Sequence, residues 1–338
     1  MAPISGANQS TSRETGTFDV NRLTRLVLKS TVLKWTALKS TALKSMALMS
    51  IALLAAGQAL AQPVVILYPV VREPYARIYR DTLTGIEQAY AGASKAMPVE
   101  SGRELSPGLF TEGGPGVAVA LGNGPARALA ALNPPVPVIT TATADIPFQR
   151  RHRLAYYPDP PMLLKQLRRF QPDIRRVKLV VAPELGDYAD RLREVLATAG
   201  LGLDVCSADN LKAAADCYRE LLDQASANDA LWILEGGRLL EPALLSYILD
   251  AAWRRQLLVF SSNPAHAGRG ALFALYPDNE AVGRQIGSLI SECLRNCGGE
   301  VSRVSYLREM KVVLNERTSR HLGLQIAPEA RQGMDLVL

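Results

Sequence analysis

Short apolar runs alternate with longer amphipathic ones, which predicts an α/β protein of two lobes. Each lobe is expected to be a parallel sheet flanked by helices, with a ligand cleft between the lobes. Three observations carry this. The predicted strands are apolar almost throughout, as strands buried on both faces must be. Each is followed by a helical segment, which implies βαβ units with right-handed crossovers. The strands also fall into two runs, about 63–145 and 176–260, separated by the Pro- and Arg-rich "TADIPFQRRHRLAYYPDPP".

In the first run "PVVILYP" is a strand, Tyr75–Ala91 a helix, "GVAVALG" a strand, Pro125–Leu132 a helix and "VPVIT" a strand. Residues 141–161 are expected to connect the two runs. In the second, "PMLLKQLRRF" is a helix, "VKLVVAP" a strand, "YADRLREVLATAG" a helix closing on Gly200, and "LGLDVC" a strand. Then come the helix "NLKAAADCYRELLDQA", the strand "ALWILEG", the helix "EPALLSYILDAAWRR" and the strand "LLVFSS". "GALFALYPDNEAVGRQIGSLI" begins with strand character and ends as an amphipathic helix over Glu280–Leu294. Asp278 is placed to cap that helix, where a negative charge is favourable.

A net charge of +6 over 338 residues would suggest a nucleic-acid partner, but its distribution excludes one. Residues 1–61 carry seven Lys/Arg against two acids, so the rest is almost neutral and no nucleic-acid footprint is expected. This segment ends in "SMALMSIALLAAGQALAQP", an apolar stretch over Met46–Ala56 followed by the small-x-small triplet Ala59-Leu60-Ala61. That pattern predicts an exported protein with a signal peptide cleaved near Ala61. Upstream, "LKSTV", "LKWTA", "LKSTA" and "LKSMA" repeat with period five, which is neither a helical nor a strand period. The repeat reads as an extension of the signal's basic region. Residues 1–61 are therefore set outside the fold.

The cysteines are Cys206, Cys217, Cys293 and Cys297. An even number in an exported chain permits disulfides, and three pairings are open. Local pairing would close short loops. It requires the helix carrying Cys293 to end near Asn296, because cysteines four apart in a regular helix are too far apart to bond. Zinc is not expected, since the close Cys pairs and a nearby His are missing.

In open parallel sheets a ligand binds beyond the carboxyl ends of the strands. The groups there define the candidate site: Tyr68, Arg72 and Tyr75 after the first strand, Asn123 and Gly124 after "VAVAL", and Thr141 and Asp145 after "VPVIT". The second run contributes Glu184, Tyr188, Glu235, Arg238, Ser262 and Asn263, and the last strand adds Tyr276. Rings, amides, hydroxyls and charged groups of this kind fix small polar ligands. Asn, Asp, Ser and Gly at such turns also serve as caps, so each residue carries that second reading. Enzyme motifs are weak. "GNGPAR" has Arg127 where a dinucleotide fingerprint needs its third Gly, and no nucleophile elbow or P-loop is present. His152, His266 and His321 are scattered and are expected in surface or capping roles. No catalytic residue, cofactor or metal is assigned.

The C-terminal third resembles ABC-transporter substrate-binding proteins of the type I periplasmic binding fold. The similarity lies in "LLVFSS", in "GALFALYPDNEAVGRQIGSLI" (Gly270, Ala271, Gly283, Arg284, Gln285) and in "VVLNERTSRHLGLQIAP" (Asn315, Leu322, Gly323, Leu324, Ile326). "ALGNGPARALAAL" and "PVPVITTATADIP" are similar to an earlier part of the family pattern, with Asp145 on the family's Asp. Residues 93–116, where the family has a full helix and strand, are short and rich in Gly and Pro. "RHRLAYYPDPP" replaces the family's connecting motif. The resemblance implies an N-terminal lobe of 63–150 with 262–298 returning to it, and a C-terminal lobe of 151–261 with 299–338. It implies a monomer that captures a small polar organic solute for an inner-membrane ABC permease. Two other readings stand beside it: a regulatory or accessory periplasmic protein on the same fold, and an exported α/β enzyme.

Overall fold

The computed structural model describes residues 64–110, 114–143, 146, 148, 151–234, 239–296, 303–326 and 328–338. Asp145, Glu235, Arg238, Cys297 and the expected signal peptide lie outside them. The elements in chain order are β1 (Val64–Pro69), α1 (Tyr75–Ala89), β2 (Ser94–Val99), β3 (Val117–Leu121), α2 (Asn123–Leu132), β4 (Val138–Thr141) and β5 (Arg151–Pro158). Next come α3 (Pro160–Phe170), β6 (Arg176–Val181), α4 (Gly186–Thr198), β7 (Gly202–Ser207), α5 (Leu211–Asp223), β8 (Asp229–Ile233) and α6 (Pro242–Arg254). The chain continues through β9 (Leu258–Ser261), α7 (Pro264–Ala267), β10 (Phe273–Pro277), α8 (Asn279–Asn296) and β11 (Arg303–Leu307). It ends with β12 (Met310–Leu314), α9 (Glu316–His321), α10 (Pro328–Arg331) and β13 (Leu336–Val337).

Two sheets result. The first has the order β11-β5-β4-β3-β1-β2 and is parallel throughout. Its central strand β3, "VAVAL", is buried at every position. One face packs Val64, Ile66, Val119 and Leu154 against Ile86 of α1 and Val282, Ile286 and Ile290 of α8. The other packs Val65, Leu67 and Ala118 against Ala126 and Leu129 of α2. The second sheet has the order β13-β12-β10-β9-β8-β6-β7. Helices α3 and α4 cover one face and α5 and α6 the other.

Helices α1 and α8 approach so closely that their contact is glycine against backbone. A Cβ on Gly283 would lie 2.1 Å from the Thr82 carbonyl oxygen, and one on Gly85 would lie 1.9 Å from that of Glu280. This contact docks α8 on the first sheet after the chain has left the second.

Sheet membership differs from the division expected at 150/151 and 261/262. Residues 151–158, expected in a connector and then in the C-terminal lobe, form β5 and pair with β4 in the first sheet. Residues 303–307 also join that sheet, through β5. β10 pairs with β9 in the second sheet, so the return to the first lobe starts only at α8. The reason is register: "RHRLAYYP" offers its backbone to β4 on one side and β11 on the other. The short 93–116 segment keeps a strand, β2, at the sheet edge, where Pro98 costs no central ladder bond. A four-residue 3-10 turn, Pro107–Phe110, follows it.

The chain passes between the sheets three times, at β5–α3, β10–α8 and β11–β12. Two passages leave the carboxyl end of a strand in the first sheet, and one leaves the carboxyl end of β10 in the second. Strand β12 runs antiparallel to β10, so its amino end lies beside the carboxyl end of β10. All three passages therefore join the carboxyl ends of the two sheets, which must face each other.

Cys206 of β7 is bonded to Cys217 of α5, which is one of the two local pairings. Cys293 is disulfide-bonded as well, and Cys297 lies outside the described residues. The expectation for the histidines is corrected in two cases. His152 and His266 are buried, bonded to Ser305 Oγ at 2.8 Å and Ser261 Oγ at 2.7 Å. His321 stacks on Trp253 with ring centroids 3.5 Å apart.

Candidate functional site

Alternation along β5 sends His152, Leu154 and Tyr156 to one face of the first sheet and Arg153 and Tyr157 to the other. The Tyr156 hydroxyl donates to Asn279 Oδ1 at 2.8 Å, which ties the first passage to the second. The Asp159 N–H donates to the Leu307 carbonyl at 2.8 Å, which ties the first to the third. Gln285 of α8 holds the third passage from above. Its amide donates to the Tyr306 carbonyl at 2.8 Å and accepts from the Arg308 N–H at 3.2 Å. The lobes are thus joined through a hydrogen-bonded girdle and not through three independent strings.

An aromatic cluster drawn from both lobes lies against this girdle. Tyr188 of α4 is 5.4 Å from the ring of Tyr157, 5.1 Å from that of Tyr306 and 6.1 Å, edge-on, from that of Trp232. Its hydroxyl donates to the Pro158 carbonyl at 2.8 Å. Trp232 donates through Nε1 to Ser262 Oγ at 3.2 Å. Tyr188 and Trp232 are buried, whereas Tyr157 and Tyr306 are only partly covered.

Charged groups surround the partly covered rings. Burial raises the phenol pKa of Tyr157, while Arg153 pulls it down and Glu184 pushes it up. The Tyr306 phenol is likewise raised by burial, with Arg153, Asp187, Arg191 and Asp159 acting on it. Burial lifts the Asp159 carboxyl above its usual value against the pull of Arg308 and Arg191. Tyr188 is held well above an ordinary phenol, first by burial and then by Tyr306. These groups can stack a ring, pair with a carboxylate and donate hydroxyls within one compact region.

The predicted residues are distributed unevenly over this region. Tyr188 and Ser262 belong to the cluster, and Glu184 acts electrostatically on its rim. Tyr188 turns inward as a buried support for the outer rings, a correction to its reading as a ligand-facing group. Thr141 is also corrected: it is buried, and its hydroxyl donates to the Leu154 carbonyl at 2.9 Å. Asn263 caps α7, its side chain accepting from the Ala265 N–H at 2.9 Å. Tyr276 is half-buried against Ala267, Ala274 and Val313.

Tyr68 packs on the α1–α8 face of the first sheet, while Arg72 and Tyr75 are exposed, Tyr75 at 64%. Asn123 and Gly124 are exposed at the start of α2. The turn before them needs Gly122, whose φ is 91° and whose Cβ would lie 3.3 Å from the Tyr79 hydroxyl. Asp278 does cap α8, accepting from the Glu280 and Ala281 N–H groups at 3.1 and 3.3 Å. Residues missed from the sequence are Arg153, Tyr157, Asp159, Trp232 and Tyr306. The alternation in "RHRLAYYP" was the available signal for the first two. Among the described residues no cluster of His, Cys, Asp or Glu is arranged to hold a metal ion.

The architecture is that of the two-lobed, type I periplasmic binding proteins, and solved structures agree. A ligand-free, open substrate-binding protein with adhesive properties from Clostridium difficile superimposes with a TM-score of 0.56 at 12% identity. The match covers 82% of this chain and 99% of that one. An "ABC domain in complex with L-Trp" from Streptococcus pneumoniae gives 0.50 at 15% identity, covering 82% and 99%. At such identities the likeness establishes the fold. No family model and no curated protein matches the chain.

Proposed function

We propose that the protein is an exported solute-binding protein that captures a small polar organic molecule between its lobes, without chemical conversion, for delivery to a membrane importer. One observation carries the reading. The carboxyl ends of both sheets face each other across three hydrogen-bonded passages, with Tyr157, Tyr306 and Arg153 gathered there. A guanidinium beside partly covered rings suits a ligand with a carboxylate and a flat or apolar body. The streptococcal neighbour in complex with L-Trp makes amino acids the first class to screen. The Cys206–Cys217 bond supports an oxidising compartment.

The test is a thermal-shift screen against amino acids, small carboxylates, sugars and nucleosides. A ligand at about 100 times its Kd adds roughly 2.7 kcal/mol of stability. Arg153→Ala and Tyr157→Ala should each weaken the best hit about tenfold or more, with the protein still folded. A screen with no hit, or a hit whose affinity ignores both substitutions, removes the proposal.

A further inference from the structure

A cavity of about 360 Å³ opens in the second lobe between α6, the segment joining α7 to β10, and the first turn of α9. It is remote from the cleft. Helix α9 follows the carboxyl end of β12, which is antiparallel to β10, so it starts at the end of the sheet opposite the three passages. The volume lies at the lower end of the range, about 300–1,000 Å³, of small-molecule sites.

The walls are fixed. Trp253 is held flat against His321, whose Nε2 bonds the Trp253 carbonyl oxygen at 2.8 Å. Thr318 Oγ1 donates to the Gly270 carbonyl at 3.2 Å, which ties α9 to the loop that carries Arg269. Such walls lose little freedom when a ligand arrives.

Two cations, Arg269 and Arg317, line the cavity. Arg269 is aimed by neutral acceptors, Ser246 Oγ at 2.9 Å and the Pro242 carbonyl at 3.4 Å. The Arg317 guanidinium lies 5.8 Å from the centre of the Trp253 ring. Among the described residues neither arginine forms an ion pair. The one acid in the wall, Asp250, is bonded to Arg254. Many of the arginines elsewhere on this lobe, including Arg176, Arg191, Arg193, Arg219 and Arg255, are paired with acids. An uncompensated pair of guanidiniums beside an indole and Leu249 matches an anionic head with an apolar body.

We infer that this cavity is a second ligand site, taking a small organic carboxylate whose charge sits between Arg269 and Arg317 and whose body lies along Trp253 and Leu249. The site does not depend on what the cleft binds. The test is fluorine NMR of the full chain labelled with fluorotryptophan, with Trp253 assigned as the resonance lost in Trp253→Phe. Benzoate is the probe and benzyl alcohol its uncharged control.

Benzoate should shift the Trp253 resonance saturably, with a Kd of about 1 mM or tighter. The Trp232 resonance should stay in place and benzyl alcohol should have no effect. Arg269→Gln and Arg317→Gln should each weaken binding about tenfold, a charge-assisted contact being lost. The inference is overturned by no saturable shift, by equal binding of the alcohol, or by unchanged affinity in both variants. A shift at Trp232 in place of Trp253 assigns the binding to the cleft and also overturns it. Resonance dispersion in each variant reports whether it has folded.

Discussion

Replacing Gly283 by Ala tests whether the α1–α8 contact organises the first lobe. The new methyl would stand 2.1 Å from the Thr82 carbonyl oxygen, 2.8 Å from Gly85 Cα and 2.9 Å from the Ile86 nitrogen. All three are backbone atoms, so no side chain can swing aside. Ordinary contact begins at 3.4 Å, so the helices must part by roughly 1.3 Å. Ile86, Val282, Ile286 and Ile290 then lose contact across the seam, since a gap of about 0.5–1 Å forfeits a quarter to a half of each dispersion well. Overpacking of this kind costs about 1–3 kcal/mol, sometimes more. Ala is the better helix former by about 1 kcal/mol, which offsets part of the loss. The expected net destabilisation is about 1 kcal/mol, read as a lower midpoint in urea with α1 and α8 first to lose amide-exchange protection. Gly124→Ala is the control. Nothing lies within 4 Å of its Cβ, so the helical preference should stand alone and stabilise slightly. If Gly283→Ala melts at or above the parent, the close approach is not the constraint argued here.

Other outcomes follow from buried polar groups and from the disulfide. Lys178 is buried in β6, 2.8 Å from Asp204 and 3.8 Å from Asp229. Lys178→Met leaves the buried Asp229 without its cation, while Asp204 keeps Arg176 at 2.7 Å, and should cost about 3 kcal/mol in urea unfolding; a neutral result would show water reaching the cluster. Burial pushes the Asp204 carboxyl up, but hydrogen bonds from Lys178 and Arg176 outweigh it and hold the pKa below the usual 3.8. Its contribution is therefore present above that value and lost as pH falls through and below it. Asp204→Asn should flatten the acid end of the stability curve.

His152 is shifted the same way for a different reason. Burial lowers its pKa below 6.5, against an upward push from Glu292 and aided by Arg303. Its Nδ1 has no hydrogen-bond partner among the described residues. The folded state therefore disfavours the proton, and stability should fall as pH drops below about 6.5. His152→Gln should remove that slope, and an unchanged slope in calorimetry would contradict the assignment. Breaking Cys206–Cys217, eleven residues apart, with paired Ser substitutions should cost about 3 kcal/mol by the loop-entropy argument. A reductant should then lower the melting temperature of the parent by more than that of the variant, which keeps only the disulfide at Cys293.

Local pattern determined a good deal of this protein. Runs such as "VAVAL" and "ALWI" are apolar at consecutive positions and too short for a buried helix, which reads as a strand covered on both faces, and they lie where expected. The cap at Asp278 was equally legible, because the start of a helix is settled within a few residues. Tertiary structure alone decided the rest. "RHRLAYYP" is mixed in polarity and became a strand because β4 and β11 flank it, the latter arriving from far along the chain. Its register then sent Tyr156 toward α8 and Tyr157 toward Tyr188, a choice that a shift of one residue would reverse. Arg153, Tyr157, Trp232 and Tyr306 sit on three strands of two sheets. Nothing in their own neighbourhoods marks them as a group, because what unites them is the facing of two carboxyl edges.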